Sequence, residues 1–145
     1  MFFAKTKMIL IITLGLAVFM ACAPKGEVKK EPTPATERPA LRVAKITLTT
    51  GVKDRQPIDS AIVFPDSVGR VYCWTLIQGM KEPTVIKHLW YYGEKRVAEV
   101  SLEVKPPRYR TWSYKTILPQ WKGDWRVWII DSQGNLLGTA SFKIK

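Results

Sequence analysis

Apolar residues in this chain recur at every second position, and no stretch of the folded part repeats them at i, i+3, i+4 and i+7. Period two is the spacing of a half-buried strand. It runs through Leu41–Thr50, Arg70–Gln78, Thr84–Tyr92, Lys95–Val104, Tyr109–Ile117, Asp124–Asp131 and Leu136–Lys145. Ser60–Phe64 adds a short edge piece closed by Pro65. Short strands at this spacing predict an all-β fold, an antiparallel immunoglobulin-like β-sandwich of about seven strands. Residues 41–145 form that single β-sandwich domain, long enough for one core. No repeat of 20–50 residues is visible, which argues against a solenoid or propeller.

The first forty residues read differently. Lys5 and Lys7 precede an uncharged apolar run, Met8–Met20, too short to span a bilayer and of the length of a signal-peptide core. Cys22 follows Ala21 directly, an arrangement that resembles a bacterial lipobox. Residues 1–21 are therefore expected to be a signal peptide, with Cys22 lipidated and anchoring the chain to a membrane. Ala23, in place of an aspartate, favours the outer membrane weakly over the inner. Residues 22–40 then hold the lipidated cysteine and a tether, APKGEVKKEPTPATERPA, with four prolines and no aromatic residue. Such a segment buries too little to fold, and as a coil it would reach about 20–25 Å. With Cys22 acylated, Cys73 has no disulfide partner and is expected to be a buried, inert thiol.

Two hairpins can be placed. Asp131-Ser132-Gln133-Gly134-Asn135 carries turn chemistry, and Leu136, Gly138, Ala140, Phe142 and Ile144 should then point inward. Tyr92-Gly93-Glu94-Lys95 suits a two-residue loop with Gly93 at positive φ. An unbroken register from that loop pairs Trp90 with Val97 and His88 with Glu99 on one face. It pairs Leu89 with Ala98 and Lys87 with Val100 on the other, more apolar face. Trp90, Tyr92 and a His88–Glu99 pair would then be exposed.

The formal charge of +11 makes partners of opposite sign the natural expectation. Arg108–Lys115, RYRTWSYK, alternates so that Arg108, Arg110, Trp112 and Tyr114 share one strand face. Guanidinium forks bind carboxylates or phosphates, and the aromatics add stacking area. The bland alternative makes Trp112 core, with both arginines lying across the sheet. Nucleic acid is not the expected partner, because the domain is expected outside the cytoplasm and its charge is spread along the chain. Six tryptophans also admit a sugar-binding surface using Trp90, Trp112 and Trp121, with Trp74 and Trp125 as core candidates. Catalysis has little support. One histidine, His88, excludes a multi-histidine zinc site; there is no G-x-S-x-G elbow or glycine-rich phosphate loop. A Ser113–His88–Glu99 triad can be imagined, but triads are recognised by geometry.

The segments His88-Leu89-Trp90, Arg108-Tyr109-Arg110-Thr111-Trp112-Ser113 and Gly123-Asp124-Trp125-Arg126-Val127 together resemble domain-of-unknown-function family 2914 (DUF2914). Val52–Pro57, VKDRQP, looks like that family's early loop, so the likeness spans nearly all of the folded part. The resemblance implies an exported or membrane-linked bacterial β domain and no particular chemistry.

The expected function is therefore that of a membrane-anchored lipoprotein, facing the periplasm or the outside of the cell. It would serve as a non-catalytic binding module for an envelope protein or an anionic polymer, with no cofactor and no metal. His88, Trp90, Arg108, Arg110 and Trp112 are the expected ligand-binding residues. A cell-wall glycan module is the alternative, and an uncharacterised hydrolase comes third.

Overall fold

In the computed structural model, residues 40–145 are described. The expected signal peptide, the expected lipidation at Cys22 and the expected tether lie outside those residues, apart from Ala40.

Nine strands form in chain order: β1 Arg42–Lys53, β2 Gln56–Ser60, β3 Val63–Phe64, β4 Arg70–Gln78, β5 Thr84–Tyr92, β6 Lys95–Val104, β7 Arg108–Thr116, β8 Gly123–Asp131 and β9 Leu136–Ile144. They make two sheets, ordered β2-β1-β4-β7 and β3-β9-β8-β5-β6. All pairings are antiparallel except the two-residue β3, which runs parallel to β9. The β-sandwich expectation holds, with nine strands in place of about seven. The surplus comes from Val52–Phe64. Asp54 and Arg55 sit at φ of 50° and 60°, the left-handed pair that closes a tight hairpin, and so Gln56–Ser60 doubles back on β1.

The core between the sheets is built from the inward residues of both. Sheet one contributes Leu48, Val71, Cys73 and Ile77; sheet two contributes Ile86, Trp90, Trp125, Val127, Ile129, Phe142 and Ile144, all buried. Trp125 stacks on Phe142 at 5.8 Å between ring centroids, and Trp90 meets Phe142 edge-on at 6.3 Å. These geometries add to area burial. Gly138 lets β9 lie close to β1 of the other sheet: a Cβ there would lie 2.9 Å from Ile46 Cδ1.

The β5–β6 hairpin corrects the expected register. Gly93 takes φ of 57° as expected, and Tyr92 pairs with Lys95 and Tyr91 with Arg96. A bulge then intervenes, so Trp90 pairs with Ala98, His88 with Val100 and Ile86 with Leu102. One extra residue on β6 flips the rest of that strand to the opposite face. The flip resolves a conflict. It sets Ala98, Val100 and Leu102 beside Ile86, His88 and Trp90, so the apolar halves of both strands face the core together. Trp90 and His88, expected at the surface, are wholly buried. Glu99 lies on the outer face, bonded to Lys87 at 2.8 Å and not to His88.

A second bulge corrects the last strand. Ile129 pairs with Gly138 and Ile130 with Leu136, so Leu137 packs on the core and Leu136, expected inward, is 55% exposed. The turn before it behaves as its composition predicts. Asp131 Oδ1 accepts from the Gln133 and Asn135 amides, each at 2.8 Å, and Gly134 takes positive φ.

Candidate anion-binding site

The β1–β2 hairpin positions the site. Trp74 and Leu76 point to the outer face of sheet one, away from the core, because Cys73, Thr75 and Ile77 take the inner face. Both are nonetheless buried. The hairpin tip folds over that face, and Trp74 Nε1 donates to the Arg55 carbonyl oxygen at 3.0 Å. From there the Arg55 side chain reaches β7, on the far side of β4. Its Nη2 donates to the Arg110 carbonyl oxygen at 2.9 Å, and its guanidinium lies 5.1 Å from the centre of the Tyr109 ring. A cleft of about 330 Å³ is lined by Arg55, Arg108, Tyr109 and Arg110. A neighbouring one of about 220 Å³ adds Glu103, Thr111 and Trp112.

Three guanidinium groups thus gather at one edge of the sandwich. Among the described residues the ion pairs are Lys87–Glu99, Arg96–Glu99, Lys122–Asp66, Arg126–Glu94 and Lys143–Asp124. None includes a cation of sheet one or its hairpin: Arg42, Lys45, Lys53, Arg55, Arg70, Arg108, Arg110 and Lys115 all stand outside them. Glu103, which lines the smaller cleft, forms none either. The carboxylates that neutralise cations belong to the other sheet and the loops. Beside the arginines, Trp112 is half-buried on the outer face, and Tyr114 tilts against Tyr72 at 5.3 Å with Arg70 4.8 Å above its ring. The facing expected for RYRTWSYK is seen: Thr111 and Ser113 turn inward, while Arg108, Arg110, Trp112 and Tyr114 turn outward.

His88 and Trp90 are elsewhere, inside the sandwich. Trp90 Nε1 donates to Ser113 Oγ at 3.0 Å, and Ser113 Oγ lies 2.8 Å from His88 Nδ1. On its other side His88 Nε2 lies 3.4 Å from Thr75 Oγ1, which donates to the Thr111 carbonyl at 3.3 Å. Only one proton arrangement gives every donor an acceptor. The Ser113 O–H donates to the unprotonated Nδ1, Nε2–H donates to Thr75 Oγ1, and the imidazole is neutral. The opposite tautomer strands the Ser113 proton. The chain links β5 to β4 and β7 across the core, and no buried side-chain polar atom among the described residues lacks a partner.

This network has the contacts of a Ser–His pair, set in the interior of the sandwich. Burial pushes the His88 pKa down to about 4, which makes it a feeble base near neutrality. Glu99 is on the opposite face of its sheet, so the imagined triad does not assemble. The network is a structural strut.

Five residues expected to share one site therefore divide. Arg108, Arg110 and Trp112 lie together at the edge; His88 and Trp90 hold the sheets together behind them. Of the tryptophans of the glycan alternative, Trp90 is buried. Trp121 packs against Tyr92 and Trp125 beneath Lys115, away from Trp112. Sequence reasoning missed Arg55 and Thr75. Arg55 meets Arg110 across 55 positions of chain, and nothing local marks it. Thr75 was legible in VYCWTLI, where alternation places it on the same face as Cys73 and Ile77.

No three metal-ligating side chains come together among the described residues. Cys73 is wholly buried and its pKa is pushed up to about 12 by desolvation. Its thiol should resist a soluble disulfide reagent in the native protein and react once denaturant is added. A release assay that finds Cys73 labelled at the native rate of a free thiol would contradict its placement.

No curated protein matches the chain. Val52–Pro57, and with it Arg55, lies outside the family match, which begins just before β5. Residues 83–144, the stretch that carries Arg108, Arg110, Trp112, His88, Trp90 and Ser113, match the model of a family described as Protein of unknown function (DUF2914).

Proposed function

We propose that this protein is an exported lipoprotein, held in the cell envelope by lipid on Cys22, whose immunoglobulin-like sandwich binds an anionic envelope partner without catalysis. The outer membrane is favoured by Ala23. The segment 23–40 spaces the domain from the bilayer, so its cations face envelope components and not nucleic acid.

One observation carries the reading: Arg55, Arg108 and Arg110 line one cleft, and none of the three is neutralised by an ion pair among the described residues. Three guanidinium groups with no ion pair and one carboxylate, Glu103, nearby leave a net positive cluster, and a fold that keeps them together has an anion to gain. The planar forks suit carboxylate or phosphate oxygens, and Trp112 supplies a flat apolar neighbour. The non-catalytic reading is supported by the burial of the lone histidine and the weakness of its imidazole as a base.

The direct test is binding to a linear polyanion, inorganic tripolyphosphate, at several salt concentrations. Binding should weaken as salt rises. Arg108→Ala with Arg110→Ala should cost about tenfold or more in affinity, since charge-assisted bonds are worth about 1.5–3 kcal/mol each. Affinity that survives both substitutions, or that ignores salt, would count against the arginines. A glycan module would instead lose affinity with Trp112→Ala and hold it in salt.

A further inference from the structure

β7 is an edge strand, and the arginine cleft sits at one end of its open side. The backbone groups on that side can be identified. Just past the β4–β7 ladder, where Thr116 pairs with Arg70, the Ile117 amide donates to the Gly69 carbonyl at 2.9 Å. Odd-numbered residues of β7 therefore turn their N–H and C=O toward β4. The even-numbered ones, Arg108, Arg110, Trp112, Tyr114 and Thr116, turn theirs away from it. In keeping with that parity, the Arg110 carbonyl oxygen accepts a hydrogen bond from Arg55 Nη2.

Past that contact the ladder is unoccupied. β7 pairs with β4 alone among the described residues, so no other strand bonds to the N–H and C=O of Trp112, Tyr114 and Thr116. Open edges of this kind are usually blunted by charge, proline or a covering loop, because they pair readily with other chains. Here blunting stops at Arg110. The remaining edge presents half-buried Trp112 and a Tyr114 that is 48% exposed.

We propose that this edge accepts an extended acidic segment of a partner protein as an added strand of sheet one. The inference rests on the arginine reading above and narrows its partner from an anion to a polypeptide. An added strand repeats its side chains on one face about every 6.6–6.8 Å, the same period as Arg108, Arg110, Trp112 and Tyr114. A segment with carboxylates at two alternate positions would set them beside Arg110 and Arg108, with Arg55 at hand. Apolar or aromatic residues at the next two alternate positions would lie against Trp112 and Tyr114, as cross-strand neighbours do. Main-chain bonds would supply affinity and the arginines direction and register. Charge complementarity selects this occupant. A second copy of the same surface would bring arginines against arginines.

The test uses a ten-residue peptide with glutamates at alternate positions in one half and valines in the other. Its twin carries N-methyl groups on alternate amides, keeping the charges and removing the donors. Saturating peptide should slow hydrogen exchange of the Trp112, Tyr114 and Thr116 amides by about tenfold or more, and the N-methylated twin should bind about tenfold more weakly. Tripolyphosphate, an anion with no backbone, should bind the arginines and leave those three amides unprotected. Equal binding of the two peptides, or unchanged exchange at the three amides under saturating peptide, overturns strand addition while tripolyphosphate binding leaves the arginine reading standing. Failure of peptide and tripolyphosphate alike overturns both.

Discussion

Replacing Trp90 with alanine should destabilise the domain by about 3–5 kcal/mol, a large share of the roughly 5–15 kcal/mol that a domain of this kind has. Trp90 is wholly buried and touches Phe142 edge-on, so truncation opens a cavity at the centre of the sandwich. It also removes the donor that fills Ser113 Oγ. Trp90→Phe separates the two effects: it restores most of the volume and none of the hydrogen bond, and should cost about 1–2 kcal/mol. Denaturant midpoints at constant m measure both. A surface tryptophan, as the uninterrupted hairpin register would have it, would change stability by less than about 1 kcal/mol.

Acid should weaken the protein in a window set by His88. Its folded pKa is about 4, against about 6.5 for an unperturbed histidine. The unfolded chain therefore binds a proton between these values that the folded one refuses. Stability is full above about pH 6.5, falls as pH drops toward 4, and levels once both states are protonated; the total is about 3 kcal/mol. The groups around the ring are Ser113, Thr75 and Trp90, none of which carries charge. His88→Gln, which cannot titrate, should remove the slope. Carboxylates do not confuse the window. Asp66, held low by Lys122, Glu99, held low by Lys87, and Asp131, held low by Asn135, lose their contributions as pH falls through pKa values below the usual range near 4. Stability flat between pH 6.5 and 4 would show that the His88 ring is hydrated in the fold, and stability rising on acidification would show it paired with an acid.

Much of this architecture was legible in the residues because alternation is a direct record of which face is buried. VYCWTLI, HLWYY and WRVWII each became a strand, and RYRTWSYK faced as its alternation implies. What alternation does not record is interruption. A bulge costs one residue and inverts everything after it, and neither Val97 nor Leu137 announces one locally. His88 was therefore expected opposite Glu99 at the surface, when the apolar run Ala98, Val100, Leu102 needed to join it in the core. The face assignment failed because each strand was paired from its turn outward instead of by where both apolar sides could be buried together.

The candidate site was legible by half. Arg108, Arg110 and Trp112 share a face by period alone. Arg55 joins them only because its hairpin curls over Trp74, a tertiary event that depends on the left-handed pair Asp54-Arg55 and on a tryptophan pointing away from the core. Trp74 was expected to be core and is buried as expected, yet on the outer face, under the hairpin.

The claim on which the account rests is that Arg55, Arg108 and Arg110 act as one receptor for an anion. Side-chain Nε–H resonances of every arginine, followed by NMR through a tripolyphosphate titration, test it most directly. The account predicts that these three shift together, saturate with a single dissociation constant and recover on adding salt, while Arg96 and Arg126, already paired with carboxylates, stay in place. Uniform small shifts across all arginines, or a response led by Arg96 and Arg126, would contradict it.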